Sequence, residues 1–287
     1  MKPLKVALVH ADHPRLMESR MVGIWSYPVP EFEAVHYPVA VSQVMNKGNF
    51  PDYDVIFCED SRVSIEWRGE GCPVVYYVVD SSLSNHHYNV RLHNAKNVDL
   101  ILVDWDRLER FKQLGVPVRR LSHCVNDRFF GKHYGEKSTD VGFFFNTTPE
   151  RMALDIFLRK ECKSLGYSYQ SGKRAGKAYA KSLARCKVNI NLHRNPDIRA
   201  HRIFDAMASH TCLMTDPFLR VSTERRCTDG FSIFLNYQQL KDSIADKLGR
   251  GTWIQWANAG YKAVQEHHTW AVRAQQLRQI IYEELGL

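Results

Sequence analysis

Apolar residues along the chain fall into two rhythms. Short unbroken runs at residues 5–10 (KVALVH), 34–37, 55–58, 74–79 and 100–103 have the length and β-branched content of strands buried on both faces. Between them the spacing turns polar or helical. Helical material is expected around residues 39–46 and over 107–114, the latter ended by Gly115 with Pro117 just beyond. Strands alternating with helices predict an α/β chain with a doubly wound parallel sheet.

The pattern then starts afresh. Residues 130–139 (FGKHYGEKST) are polar and carry glycine, as a linker does. A strand over 141–145 follows, and Thr147-Thr148-Pro149-Glu150 reads as a cap with proline in the first turn of a helix running to about 165. In the next strand Val188, Ile190 and Leu192 alternate with Asn189 and Asn191. The chain breaks at Asn195-Pro196, restarts as a helix with Asp197 as N-cap and Ile203, Phe204 and Met207 on its apolar side, and enters a strand over 212–215. A strand at 231–235 and helices at 237–248, 253–266 and 271–285 complete the reading.

Composition narrows the class. The 287 residues are 44% hydrophobic and 24% charged, the profile of a globular chain long enough for two domains. No apolar run reaches the length of a bilayer span, so no membrane span is expected. Seven cysteines without a CxxC pair point to reduced thiols and a cytoplasmic setting. The formal charge of +8 suits nucleic acid, an anionic surface or a phosphorylated substrate, and chooses among none of them.

Candidate chemistry gathers where strands end. His193, Arg194, Asp197, Arg202, Asp205, Thr215 and Asp216 flank the strand-helix-strand unit at 187–217. Asp197 and Asp205 are two helical turns apart on one side, with Arg202 nearby. A carboxylate accepts the hydroxyls of a ribose or hexose, whereas a guanidinium and a helix N-terminus attract phosphate. The plainer reading is a surface helix with an internal ion pair. The loop after the first strand (Asp12, His13) lacks GxGxxG, which argues against a dinucleotide site. Asp80, His86, His87 and Arg91 form a second polar cluster, with Asp80 either a base or a cap. The segment with Lys173, Arg174, Lys177, Lys181, Arg185 and Lys187 holds no acid, as a solvated face or a phosphate-binding face would.

The order of segments resembles the GT-B glycosyltransferases, and the second half is similar to the C-terminal domain of glycosyltransferase families 1 and 4, particularly the CgeB-like branch. The resemblance is carried by TDVGFFFNTTPER (140–151), KVNINLHR (187–194), RIFDAMASHTCLMTDP (202–217) and HHTWAVRAQQL (267–277), with VVYYVVDSS (74–82), NVDLILVDWDRL (97–108) and LGVPVRRLSHCVNDRFF (114–130) in the first half. It implies two Rossmann-like doubly wound domains facing a cleft: an acceptor domain over 1–132 onto which 271–287 folds back, and a donor domain over 133–270. It implies transfer of a sugar from a nucleotide-diphosphate sugar, UDP-sugar favoured, to an acceptor hydroxyl. Asp205 would bind the donor ribose and Asp197 face the sugar. Both are Asp where the family has Glu, and Ser209 stands where the family has glycine. Arg202, Arg151, Lys173, His193, Arg194, Thr215 and Asp216 would surround the donor. Asp80, Asp12 or His13 would act as base, and His86, His87 and Arg91 would meet the acceptor. No cofactor and no metal requirement are expected, cations and helix dipoles neutralising the leaving diphosphate. Open alternatives for the acceptor are a hydroxymethylated base in DNA, a cell-envelope or spore component and a small molecule. A catalytically inactive nucleotide- or nucleic-acid-binding module is the alternative to transfer.

Overall fold

The buried apolar runs pair in parallel and build two separate sheets. The computed structural model describes residues 2–11, 29–40, 43–59, 64–78, 85–103, 109–125, 129–132, 135–193, 202–217 and 230–287. The chain divides into two compact units, Met1–His123 with Trp270–Leu287, and Cys124–Thr269.

The first unit contains β1 (Leu4–Ala11), β2 (Phe32–Val39), β3 (Gln43–Asn46), β4 (Val55–Glu59), β5 (Ile65–Arg68), β6 (Val74–Val78), α1 (Asn85–Asn94), β7 (Leu100–Val103), α2 (Glu109–Lys112) and β8 (Val118–Arg120). The second contains β9 (Thr139–Phe143), α3 (Pro149–Ser164), β10 (Tyr169–Ser171), α4 (Gly176–Arg185), β11 (Cys186–Asn191), α5 (Arg202–Ala208), β12 (Cys212–Thr215), β13 (Phe231–Ile233), α6 (Tyr237–Gly249) and α7 (Trp253–His267). The last helix, α8 (Trp270–Leu285), belongs to the first unit.

The main sheet of the first unit runs β2-β1-β4-β6-β7-β8, every pair parallel. β4, β6 and β7 are buried along their whole length, which is why they read as continuous apolar runs. α8 is fastened to this unit at several points: Trp270 stacks on Phe32, Arg278 donates to the Lys2 carbonyl at 2.6 Å, and Glu284 pairs with Arg119. The second sheet runs β10-β9-β11-β12-β13, again all parallel. One of its cores is Leu154, Leu158, Val188, Ile190, Met214 and Leu240, and the other, on α4, α5 and α7, is Leu183, Phe204, Met207 and Val264. In both sheets the order reverses beside the first strand, between β1 and β4 and between β9 and β11. That reversal opens a crevice at the carboxyl ends of those strands.

Two expectations are corrected here. The helix expected around 39–46 is strand at its end: Gln43–Asn46 pairs in parallel with β5, and one turn of 3-10 helix follows at Lys47–Asn49. Four residues with mostly exposed side chains carry too little periodicity to tell strand from helix, and the cross-chain partner decides. The linker read at 130–139 lies inside the second unit. Phe130 packs edge-on against Tyr179, and the Lys137 ammonium donates to the Ser209 carbonyl at 3.0 Å and to Thr211 Oγ1 at 3.1 Å, anchoring that segment at the end of α5. The strands β8 and β10, three residues each, fall below what periodicity detects. Among the described residues no helix is long and apolar enough to cross a membrane.

Candidate functional site

The β9/β11 crevice collects the second unit's polar side chains. The register of β11 with β12 sets Asn191 opposite Thr215, so the residues just beyond, His193 and Asp216, leave the sheet side by side. The Asp216 carboxylate oxygen Oδ1 receives two hydrogens from His193, the backbone N–H at 2.9 Å and the ring Nδ1 at 2.7 Å. The His193 side chain is 1% exposed and that of Asp216 19%. Beneath them the Asn191 side-chain amide donates to Thr215 Oγ1 at 3.1 Å.

Arg151 spans the crevice. It follows the N-cap Thr148, whose hydroxyl accepts the Arg151 N–H, and Pro149 at the start of α3. Its guanidinium donates to the Leu192 carbonyl at 2.7 and 3.2 Å and to the Asn146 carbonyl at 3.3 Å, and the residue is 3% exposed. It therefore pins the loop after β11 to the loop after β9, a positioning role. Arg202 performs a similar task, donating to the Phe144 carbonyl at 3.1 Å from the first residue of α5.

Asp205 sits one turn further along α5 and is 5% exposed. Burial pushes its carboxyl up to about 8, against the pull of the Arg202 guanidinium. At neutral pH the side chain is accordingly a carboxylic acid, able both to donate and to accept. Tyr179 of α4 is buried next to it, and that burial raises the phenol as well. Ser209 follows α5 and donates its hydroxyl back to the Asp205 carbonyl at 2.8 Å. The left-handed residue that a helix end often needs is then His210, at φ 51°.

The structure thus brings His193, Thr215 and Asp216 together at the end of β11 and β12, and Arg151 and Arg202 onto the backbone around them. Asn191, absent from the sequence candidates, joins this set; its signal was a polar residue at the end of an otherwise apolar alternation. Lys173 is exposed between β10 and α4, and among the described residues no contact ties it to the others. Arg194, Asp197, Asp12, His13 and Asp80 lie outside the described residues. His86 and His87 fall in α1, and Arg91 is half-buried in its last turn. An open groove of about 580 Å³ in the first unit is lined by Lys47, Glu66, Arg68 and Asp99, cations already paired at 2.8 Å (Lys47 with Asp99) and 2.7 Å (Arg68 with Glu66).

Comparison with known proteins places this geometry. Residues 145–279 match the family model described as glycosyl transferase-like. No curated protein matches the sequence. Among solved structures, the sucrose-phosphate synthase of Thermosynechococcus elongatus is similar with a TM-score of 0.57 at 10% identity, 99% of each chain being covered. Alr3699/HepE of Anabaena, in complex with UDP-glucose, is similar with a TM-score of 0.60 at 12% identity over 98% of this chain and 100% of that one. WaaG, a glycosyltransferase involved in lipopolysaccharide biosynthesis, is similar with a TM-score of 0.56 at 10% identity over 96% of this chain and 99% of that one. At such identities the structural likeness shows the fold, two Rossmann-like parallel-sheet units of the GT-B type, and the family match supplies the chemistry. The chain is a glycosyltransferase of the GT-B fold.

Proposed function

We propose that the chain moves a sugar from a UDP-sugar to an acceptor hydroxyl, with the donor at the carboxyl ends of β9 and β11 and its ribose on Asp205. The observation that carries this reading is the buried carboxyl of Asp205, raised to about 8, beside Arg202 in the first turn of α5. A carboxyl withdrawn from water at that cost is worth keeping where a diol will hydrogen-bond to it. The UDP and UDP-glucose complexes of HepE favour uracil as the base of the donor. Arg202, His193, Thr215 and Asp216 frame the diphosphate in this proposal, without a metal. Six described cysteines are thiols, in keeping with a cytoplasmic setting. Membership of the CgeB-like branch belongs to the same proposal.

The test is a thermal shift against UDP-, GDP- and dTDP-sugars on the wild type and Asp205→Asn. Binding raises the melting temperature in proportion to the logarithm of ligand excess over Kd. A shift with UDP-sugars that Asp205→Asn abolishes supports the reading; an equal shift in both proteins removes Asp205 from it, and no shift with any donor removes the reading.

For the acceptor, one observation favours a polyanion such as DNA bearing a hydroxymethylated base. α4 buries Tyr179, Ala180, Leu183 and Ala184 and turns Lys177, Lys181 and Arg185 outward, next to exposed Lys173 and Arg174. An uncharged small-molecule acceptor has no use for that face.

A further inference from the structure

The first unit holds a groove that donor binding leaves unused. Its volume is about 580 Å³, and it is bordered by Lys47 just after β3, by Glu66, Trp67 and Arg68 of β5, and by Asn97 and Asp99 just before β7. Asp99 fixes the end of the sheet to which the groove belongs. Its N–H donates to the Val74 carbonyl at 2.9 Å and its carboxylate receives the Val74 N–H at 2.7 Å, so both residues stand at the amino ends of β6 and β7. The main sheet is parallel throughout, and the carboxyl ends, where α/β sheets take ligands, lie at the other end of β6, roughly 13 Å away for its five residues. The groove is therefore not that crevice, and all its residues belong to the first unit.

Glycine fixes the walls. A Cβ on Gly69, at φ 73°, would come within 2.7 Å of Asn46 Oδ1, and one on Gly71, at φ 144°, within 2.8 Å of the Gly48 nitrogen. Only glycine lets the chain after β5 close on the turn after β3, so the polar groups of the two elements are set before a ligand arrives. Lys47 Nζ donates to Asp99 Oδ2 at 2.8 Å, and Arg68 Nε to Glu66 Oε1 at 2.7 Å. Each pair keeps capacity in hand: among the described residues Asp99 Oδ1, Glu66 Oε2 and the terminal nitrogens of Arg68 make no hydrogen bond.

Trp67 supplies the second observation. It is 0% exposed and packs edge-on against Phe50, and its indole N–H has no acceptor among the described residues. A buried Trp N–H ordinarily has one. Charge then selects the ligand. Two acids and two bases cancel, and a phosphate would have to take Lys47 from Asp99 or Arg68 from Glu66. A hydroxyl donates and accepts at once and leaves both pairs in place. We propose that this groove binds a neutral saccharide, with Lys47, Arg68 and Trp67 donating to its oxygens and Glu66 and Asp99 accepting from its hydroxyls.

The inference does not rest on Asp205, and no bond of the saccharide is made or broken in the groove. The Arg68 hydrogen bond, against desolvation, holds the Glu66 carboxyl below the usual carboxylate range, so at neutral pH it is ionised and accepts only. Asn97, exposed and at φ 60°, adds an amide at the rim. In an open groove the hydroxyls exchange water contacts for protein contacts, which sets the expected Kd on the order of 1 mM.

The experiment follows the tryptophan indole N–H signals of the full chain by NMR while methyl glucoside, maltotriose, chitotriose or inorganic phosphate is added to about 50 mM, well above that Kd. Trp67→Phe, which keeps a ring and loses the N–H, assigns the Trp67 signal. A saturable shift of that signal is expected with a saccharide and not with phosphate, unchanged by saturating UDP and present in Asp205→Asn. Replacing Glu66 and Arg68 together by alanine is expected to weaken binding about tenfold or more without moving the melting temperature, because the pair is exposed. A signal that no saccharide moves overturns the inference, as does one that phosphate alone moves. A saccharide effect that UDP or Asp205→Asn removes belongs to the donor site; it overturns the inference and leaves the donor reading standing. Where Trp67→Phe does not fold, saturation transfer from protein to saccharide decides: its loss in the Glu66 and Arg68 double variant supports the groove, and its persistence there overturns it.

Discussion

Asp216 holds His193 by two hydrogens on one oxygen, the ring Nδ1 at 2.7 Å and the backbone N–H at 2.9 Å. The double contact fixes ring orientation and chain direction at once, and in the neutral ring it places the proton on Nδ1 and the lone pair on Nε2. Asp216→Ala removes the shared acceptor and leaves the His193 backbone N–H without this bond. The expected loss is about 2 kcal/mol of unfolding free energy in urea, within the range for buried donors left unsatisfied. Asp216→Asn keeps a carbonyl oxygen for the backbone N–H and is expected to lose less than half of that. Equal losses in the two variants would show that charge rather than the shared oxygen holds the loop.

The Asp205 carboxyl gives a pH dependence of definite sign. Its folded value is about 8 against 3.8 for the exposed group. Between those limits the folded state holds a proton that the unfolded state has released. Stability therefore falls as pH rises through that window, by at most about 1.4 kcal/mol per pH unit for one proton. Asp205→Asn, which cannot ionise, is expected to match the wild type near pH 4 and to gain on it steadily toward pH 8. A difference independent of pH would place the carboxyl's titration outside the window. If a ribose diol binds the ionised form, donor binding releases a proton. Calorimetry in two buffers of different ionisation enthalpy at pH 7 would then give different apparent enthalpies.

Arg151 tests positioning without touching the proposed ligands. Its planar fork serves two carbonyls, Leu192 and Asn146, that belong to different loops. Lysine keeps the charge and loses the fork. Arg151→Lys is expected to cost about 2 kcal/mol in stability and to raise the KM for the donor more than it lowers kcat, because the loops that frame the donor loosen while the reacting groups stay. A kcat effect with unchanged KM and unchanged stability would make Arg151 a catalytic residue instead.

The strands were legible because a parallel strand covered on both faces is an unbroken apolar run. Residues 100–103 were read at the bounds observed for β7, and 55–58 fell one residue short of β4. β3 was not legible, since its identity depends on a partner about twenty residues away. The same limit governs the sites. The position of Asp205 follows from helical spacing, but its protonation does not, because burial beside Tyr179 and the α5 core is a property of the packed unit. Lys47 and Asp99 are ordinary charged residues in the sequence, and only the packed unit makes a pair of them.

Charge on α4 is the remaining feature whose meaning a solution measurement decides. The helix buries an apolar face, so Lys177 and Lys181, one turn apart, contribute nothing to the core and are exposed. Replacing both by alanine, a strong helix former, is expected to leave the melting temperature within a few degrees. If the acceptor is DNA, each lysine contacts phosphate and releases counterions. The slope of log K against log salt for a duplex carrying hydroxymethylcytosine, followed by fluorescence anisotropy between 50 and 200 mM salt, should then fall by about 2 in the double variant. Affinity that is flat with salt in the wild type, or a slope the double variant does not change, assigns the face to solvent and leaves the acceptor to be sought among uncharged hydroxyl compounds.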